Sequence, residues 1–269
     1  MNVGHAGRSS AEHEAAIDLS WGGLYRAGGV SAFLFVALII VAIVLEFTMP
    51  PAPVSGGEAT LQYIAAHRLI YMLEQFLWLT PGVFAMIVFL ALPVALKHLN
   101  KSFAAIAALV GIVSWALTLA WPATGGGAPA LVYLSDQYAS ATTAVQRAAF
   151  AAAAEGFLAQ NVVPTAMGIL EPIGILIVSL LMLKGVFSKS AAYLGIVTGV
   201  LGIFSESLRP ILGIGYIVYG VLLPVWFLVI GWQLYRLGTG NAHTGTGEKL
   251  EARGRHNGRH TGMTRGASR

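Results

Sequence analysis

Residues 28–49 read GGVSAFLFVALIIVAIVLEFTM, an almost continuous apolar run whose only charged side chain is Glu46. An α-helix needs about 20 predominantly apolar residues to cross the hydrocarbon core of a bilayer. Five more runs of similar character follow along the chain, which predicts an all-α fold, a polytopic transmembrane helix bundle of about six spans. The predicted spans are Gly28–Met49, Leu69–Leu96, Phe103–Trp121, Val162–Leu183, Ala191–Leu208 and Ile214–Leu234.

The composition agrees with a location in lipid. The chain has 269 residues, of which 56% are hydrophobic and 10% are charged, and its mean hydropathy is +0.72. Ordinary soluble domains carry about 25% charged residues. The chain also has no cysteine, which excludes disulfides, thiolate nucleophiles, iron–sulfur clusters and cysteine-bound zinc.

The lysines and arginines predict the topology. With six spans and the N-terminus inside, 13 of the 16 basic residues fall on the cytoplasmic side, and only Arg68, Arg147 and Arg209 fall outside. Short cytoplasmic loops of membrane proteins carry such an excess of basic residues. The sequence therefore predicts a multi-pass protein of the cell membrane with both termini in the cytoplasm.

The spans divide the chain into three parts. These are a cytoplasmic N-terminal segment at residues 1–27, a six-helix transmembrane domain at 28–236 with outer loops at 50–68 and 122–161, and a disordered basic tail at 237–269. In the longer loop, the alanine-rich stretch Thr142–Gln160 predicts a helix that rests on the outer face or extends span four. The tail has six basic residues and two acids, which suits either binding to anionic lipid or a solvated topology signal.

Four acids fall in the outer half of the predicted spans. With about 1.5 Å of rise per residue, they lie roughly 20 to 34 Å from the cytoplasmic basic residues. Arg68 and Arg209 fall at the same end. Charges inside a membrane usually face the bundle interior, so these residues predict a polar layer near the outer surface. The acids are Glu46, Glu74, Glu171 and Glu206.

Helical spacing predicts which of these side chains share a face. Steps of four, three and four put His67, Tyr71, Glu74 and Trp78 on one face of span two. On span five, a Gly-xxx-Gly surface, Gly195, Gly199 and Gly202, continues into Glu206 and Arg209, which predicts close packing against another helix.

Prolines interrupt two of the spans. Pro81 and Pro93 are expected to bend span two, and Pro172 follows Glu171 directly in span four. A proline frees a backbone carbonyl and tends to kink a helix. An acid beside such a break is a reasonable ion or proton site.

These residues support two interpretations, an interhelical network with a structural role and a site that binds or moves something. The candidate site residues are Glu74, Glu171, Glu206, Arg209, His67, Tyr71, Glu46 and Arg68.

Enzymatic motifs are incomplete or missing in the sequence. The stretch HEAAI at residues 13–17 lacks the second histidine of a zinc-protease motif, and there is no P-loop. The sequence therefore predicts no catalytic, cofactor or metal residues and no nucleic-acid partner. It favours a non-enzymatic scaffold, sensor or accessory subunit that contacts the bilayer and a protein partner or a second copy. The alternative is a small transporter or an ion- or proton-coupled carrier that uses the acidic layer.

Three segments carry a resemblance to a known family: YIAAHRLIYMLE at residues 63–74, the turn at 184–190 and the closing run at 226–236. They resemble a family of small bacterial and archaeal multi-span membrane proteins classed only as a domain of unknown function. The resemblance covers roughly residues 24–238 and implies a prokaryotic six-helix membrane protein. It implies no activity and no functional residues.

Overall fold

The computed structural model of the chain describes residues 18–53, 55–120, 127–160, 163–212 and 215–240. The predicted N-terminal segment up to residue 17 and the predicted basic tail from residue 241 onward lie outside these ranges. A short 3-10 helix, Leu19–Trp21, precedes the α-helices. They are α1 (Gly22–Thr48), α2 (Gly57–Leu79), α3 (Pro81–Leu96), α4 (Lys101–Ala120), α5 (Ala130–Ser140), α6 (Ala144–Gln160), α7 (Ala166–Met182), α8 (Lys189–Ser207), α9 (Arg209–Leu212) and α10 (Tyr216–Gly238).

Five helical segments of the described chain are long and apolar enough to cross a membrane. They are α1, the pair α2 and α3 taken together, α4, α8 and α10. The helix that corresponds to predicted span four, α7, is apolar but has only 17 residues. At about 1.5 Å per residue it is roughly 25 Å long, somewhat less than the roughly 30 Å hydrocarbon core. The predicted all-α fold is confirmed for the described residues, which include five helical segments that could span a membrane.

Six helices form a closed ring. Following the contacts around it, α1 packs on α3, α3 on α4, α4 on α7, α7 on α8, α8 on α10, and α10 again on α1. The ring buries a single core in which the ring centroids of Phe35 and Phe227 are 4.0 Å apart and Trp115 meets Phe35 edge-on. Although α7 has only 17 residues, it packs on both of its neighbours in this ring, α4 and α8.

Glycines allow the close approach of α8 to α7. A Cβ atom on Gly199 would lie 2.8 Å from the backbone oxygen of Pro172, and one on Gly202 would lie 2.6 Å from the Pro172 Cβ. A side chain at either position would therefore push the two helices apart. The glycine face that the spacing predicts on span five is the face that packs on α7.

Predicted span two is built from two helices. A new helix begins at Pro81, which is well placed at a first helical position because its missing N–H would have no partner there. Pro93 lies within α3 with no interruption of the helix. In addition, α2 begins at Gly57, well before the predicted Leu69, and has non-helical backbone angles at His67 (φ −127°, ψ 32°). The spacing of apolar residues gave no sign of that second break.

The ends of the bundle differ in charge. We call the end that carries Lys97, Lys101, Lys184, Lys189 and Arg236 the inner end and the opposite one the outer end. At the inner end, Lys97 Nζ is 3.3 Å from Asp18 Oδ2 and 5.1 Å from the centre of the Trp21 ring. The Ser20 hydroxyl, and to a lesser extent Lys97, hold the pKa of Asp18 below its usual value.

A second, smaller core lies at the outer end. The helices α2, α5 and α6 pack on one another, and we call these three helices the outer unit. The prediction of a helix over Thr142–Gln160 matches α6, which packs on α2 and is separated from α7 by an independent helix start at Thr165. It is therefore not an extension of span four, and α5 was not predicted. The buried hydrophobic residues that form this second core are Leu61, Ile64, Tyr71, Leu131, Ala154 and Leu158.

Candidate functional site

The structure divides the predicted polar layer into two groups. Glu171, Glu206 and Arg209 lie together where α7, α8 and α10 meet, and the remaining five residues lie on α2 and the end of α1. Within the described chain, no hydrogen bond or ion pair joins one group to the other. The layer is therefore two separate sites with different surroundings. The five residues of the second group are Glu46, His67, Arg68, Tyr71 and Glu74.

Glu206 is the centre of the first group and is only 1% exposed. Its Oε1 accepts hydrogen bonds from the backbone N–H and the hydroxyl of Thr165, both at 3.1 Å, and lies 3.5 Å from Arg209 Nη1. Its Oε2 accepts a bond of 3.4 Å from the Tyr216 hydroxyl. A buried carboxylate with donors from three segments is well compensated, and it ties the outer ends of those segments together.

The start of α7 is shaped to receive this carboxylate. The Thr165 hydroxyl also accepts a 3.1 Å hydrogen bond from the Gly168 N–H, as a helix-capping residue does. A Cβ atom on Gly168 would lie 2.4 Å from Glu206 Oε1. Glycine at position 168 therefore leaves the space that Glu206 occupies.

Glu171 has fewer partners than Glu206. It is half-buried, and its Oε1 accepts a 3.0 Å hydrogen bond from the Tyr219 hydroxyl. Gly202 makes room for this contact, because a Cβ there would lie 2.6 Å from Tyr219 Cε2. Glu171 also lies directly before Pro172, which is inside α7.

Two tyrosines and an arginine complete the first group. The rings of Tyr216 and Tyr219 meet edge-on with centroids 6.0 Å apart, and the Arg209 guanidinium lies 5.0 Å from the centre of the Tyr216 ring. We call Thr165, Glu171, Glu206, Arg209, Tyr216 and Tyr219 the acid–tyrosine cluster. Sequence reasoning missed Thr165 and both tyrosines, although a pair of phenols three residues apart at the outer end of span six was a usable signal.

In the second group, Tyr71 is fully buried and bonds to the backbone just before α5. Its hydroxyl donates to the Ala128 carbonyl at 3.0 Å and accepts from the Ala128 N–H at 3.1 Å. Gly127, at φ +133°, brings the chain into this position, and a Cβ there would lie 2.3 Å from the Tyr71 oxygen. This side chain fastens the loop between α4 and α5 to α2, which is a structural role.

His67 and Arg68 mark the kink in α2. The His67 Nδ1 is 3.2 Å from the Tyr63 carbonyl and its ring stacks on Tyr63, while Arg68 forms a 2.6 Å ion pair with Asp136 of α5. On the other side of the kink, Ser135 donates a 2.7 Å bond to the Leu61 carbonyl. Because α5 bonds to α2 on both sides of the kink, it stabilises the two halves of α2 in this arrangement.

Glu155 of α6 secures the start of α2. One of its carboxylate oxygens accepts hydrogen bonds from the N–H groups of Gly56 and Gly57, at 3.0 and 2.7 Å. These donors have no partner within a helix, and a negative charge is favourable at a helix N-terminus. A Cβ on Gly57 would lie 2.0 Å from the Ala151 oxygen, so α6 approaches α2 closely at this point.

Glu74 differs from every other acid of the two groups. It is 7% exposed, yet its carboxyl makes no hydrogen bond or ion pair with any residue in the described part of the chain. The charged side chain that interacts with it is another acid, the exposed Glu46 of α1. Burial of a carboxylate with no hydrogen-bond donor is costly, so the protein around Glu74 does little to stabilise a charge there.

The described residues contain no group of three or more histidine, aspartate or glutamate side chains placed to hold a metal ion. The side chains of the acid–tyrosine cluster are carboxyl, phenol, hydroxyl and guanidinium groups, which hold the ends of their helices together through hydrogen bonds and an ion pair. Comparison with protein-family models, with curated proteins and with solved structures finds no match to this chain.

Proposed function

We propose that the chain crosses the cell membrane six times with both termini in the cytoplasm, and that it acts without chemistry of its own as a scaffold, sensor or accessory subunit. In this proposal the six-helix ring anchors the outer unit and holds it at the external surface. The outer unit is then the part that meets a protein partner or a second copy.

The ring geometry supports α7 as the sixth span. Its neighbours on both sides, α4 and α8, are each long and apolar enough to cross. Each of the six ring helices also has a basic residue at or near its inner end, as helices that alternate in direction across a membrane would. These residues are Arg26, Lys97, Lys101, Lys184, Lys189 and Arg236.

The observation that carries the non-enzymatic role is the use of charged groups within the outer unit. Within the outer unit, each aspartate, glutamate and arginine side chain except that of Glu74 bonds to the unit itself. Beyond the pairs already described, Tyr138 donates to Glu58 Oε1, and Arg147 Nη2 donates to the Ala141 carbonyl at 3.2 Å. These groups hold a compact unit together, as expected for a part that presents a surface.

A partner assay with a matched control tests this role. Gly57→Leu should push α6 away from α2, whereas Gly220→Leu places its side chain at a glycine whose Cβ would meet nothing within 4 Å. Full-length protein is purified from its native membrane in mild detergent. We expect the co-purifying proteins or the dimer to be lost with Gly57→Leu and kept with Gly220→Leu. Identical co-purifying proteins and oligomeric state in the two variants would argue against the proposal.

One observation favours a second candidate function, a proton- or ion-coupled carrier. Glu171 is half-buried, has the Tyr219 hydroxyl as its hydrogen-bond partner and precedes a proline inside α7. Acids in such positions serve as relays in transporters.

Flux measurements separate the two candidates. In proteoliposomes with a pH-sensitive dye, a scaffold should give no proton flux above that of protein-free vesicles. Flux that Glu171→Gln abolishes, at unchanged folded yield, would favour the carrier instead. The family resemblance noted in the sequence implies no activity and is neutral between the two.

A further inference from the structure

Several basic residues at the inner end of the bundle form no ion pair within the described residues. Within the described residues, Asp18 is the one acid at this end, and it pairs with Lys97 on the α1–α3 side. At the corner where α8 and α10 pack together, Lys189 and Arg236 are exposed, and no ion pair within the described residues involves either of them. The α8–α10 corner therefore carries two exposed cations with no ion-pair partner in the described part of the chain.

A pair of hydrogen bonds joins the two helices at this corner. Gln233 of α10 accepts a 2.9 Å bond from the Ser188 N–H and donates a 2.9 Å bond to the Ser188 hydroxyl. Lys189 follows Ser188 directly, and Arg236 lies nearly one helical turn beyond Gln233. The two cations thus stand on neighbouring helices, on either side of a fixed contact.

Each cation begins a line of exposed side chains that runs into the membrane. On α8, steps of four lead from Lys189 to Tyr193 and Val197. On α10, steps of four in the other direction lead from Arg236 to Trp232 and Leu228, and these residues are exposed as well. Both lines have the same order of cation, aromatic ring and aliphatic side chain.

This order matches the order of chemical groups in a phospholipid, from the headgroup to the acyl chains. Cations meet the phosphate, tyrosine and tryptophan favour the headgroup level, and aliphatic side chains face the acyl chains. Basic surfaces between transmembrane helices on the cytoplasmic side bind anionic headgroups. We infer that the α8–α10 corner, with Lys189 and Arg236 on the phosphate and Tyr193 and Trp232 on the lipid below it, is a binding site for an anionic phospholipid.

The site is distinct from the basic tail and depends on the proposed topology only for the leaflet in which the lipid lies. Its apolar continuation favours a lipid over a free phosphate. Because all four recognition residues are exposed, substitutions there should leave the fold intact, and binding can be measured in detergent without regard to orientation.

The test compares two double variants of the full-length chain by native mass spectrometry with added phosphatidylglycerol or phosphatidylcholine. Lys189→Gln/Arg236→Gln removes the cations of the site, and Arg26→Gln/Lys101→Gln removes two charges from the same end on other helices. Basic residues at a membrane surface contribute roughly a fivefold gain in affinity each. We expect the first pair to weaken phosphatidylglycerol binding at least about tenfold, and the second pair to have little effect.

The double variant Lys189→Arg/Arg236→Lys keeps both positive charges, so we expect it to bind phosphatidylglycerol as the unchanged protein does. Equal binding of the two lipids, or equal loss in the two double variants, would overturn the site. Displacement of the lipid by inorganic phosphate at similar concentration would show that the corner recognises phosphate alone. Cysteine labelling of the two membrane sides tests the topology independently, so failure of one proposal is distinguishable from failure of the other.

Discussion

Tyr71 and Ala128 exchange two hydrogen bonds, of 3.0 and 3.1 Å, between a buried phenol and the backbone that leads into α5. The contact joins residues 57 positions apart and fixes the outer unit at one defined place on α2. It also gives Tyr71, a candidate for recognition in the sequence, an architectural role.

Removal of this hydroxyl should destabilise the protein. In Tyr71→Phe, the buried N–H of Ala128 loses its partner, at a cost of about 1–3 kcal/mol, whereas the Ala128 carbonyl keeps a 3.0 Å hydrogen bond from the Leu131 N–H. We expect a clearly lower melting temperature in detergent. Tyr133→Phe, at an exposed position of the same region, should melt as the wild type does. Equal melting temperatures for the two variants would mean that the outer unit does not depend on this contact.

Substitution by glutamine should lower the stability of the protein at Glu206 but not at Glu74. Glu206→Gln replaces a carboxylate oxygen facing the Thr165 donors and Arg209, so we expect a loss of roughly 2 kcal/mol or more from charged hydrogen bonds. Glu74→Gln removes a charge that has no hydrogen bond or ion pair in the described chain, so stability should stay the same or increase. Thermal unfolding of the two variants checks this, and a larger loss at position 74 would contradict the assignment.

The glycine face of α8 should be intolerant of a methyl group. Gly199→Ala would place a Cβ 2.8 Å from the Pro172 oxygen, a contact that requires α7 and α8 to separate. Overpacking of this kind costs about 1–3 kcal/mol. Gly220→Ala, where the added methyl meets nothing within 4 Å, serves as the control and should be neutral or slightly stabilising. A stable Gly199→Ala protein would show that the two helices are less closely packed than the structure indicates.

The ion pair between Arg68 and Asp136 should contribute little, despite its short 2.6 Å distance. Its side chains are 53% and 50% exposed, and exposed pairs typically contribute less than about 1 kcal/mol. Arg68→Gln should therefore shift the melting temperature much less than Tyr71→Phe does. A comparable shift would mean that the ion pair between α2 and α5 contributes as much to stability as the hydroxyl of the buried Tyr71.

Local patterns in the sequence predicted the helical fold because each long apolar run is sufficient by itself to indicate an apolar helix. The break at Pro81 and the glycine face of α8 were predictable for the same reason, since a single residue type causes each. The kink at His67 was not, because it depends on α5 bonding to both halves of α2, and α5 comes some sixty residues later. Contacts between distant segments leave no periodic signal.

The candidate site shows the same division. Depth estimates placed Glu171 and Glu206 at one end of the bundle. The depth of a residue, however, does not show which neighbouring helices its side chain contacts. The order of the six helices puts these two acids at the α7–α8–α10 junction and Glu74 on α2, beside α1. Tyr219 and Thr165 become partners of the acids only through that order.

The position of α7 across the membrane is the claim on which the topology and both candidate functions depend, and cysteine accessibility tests it most directly. The chain has no native cysteine, so single cysteines at Val163 and Ser190, both exposed and on either side of α7, can be labelled with a membrane-impermeant maleimide. We expect Val163→Cys to react from outside the cell only and Ser190→Cys only after the inner face is opened. Reaction of both cysteines from the same side would show that α7 does not cross, which would contradict the six-span arrangement.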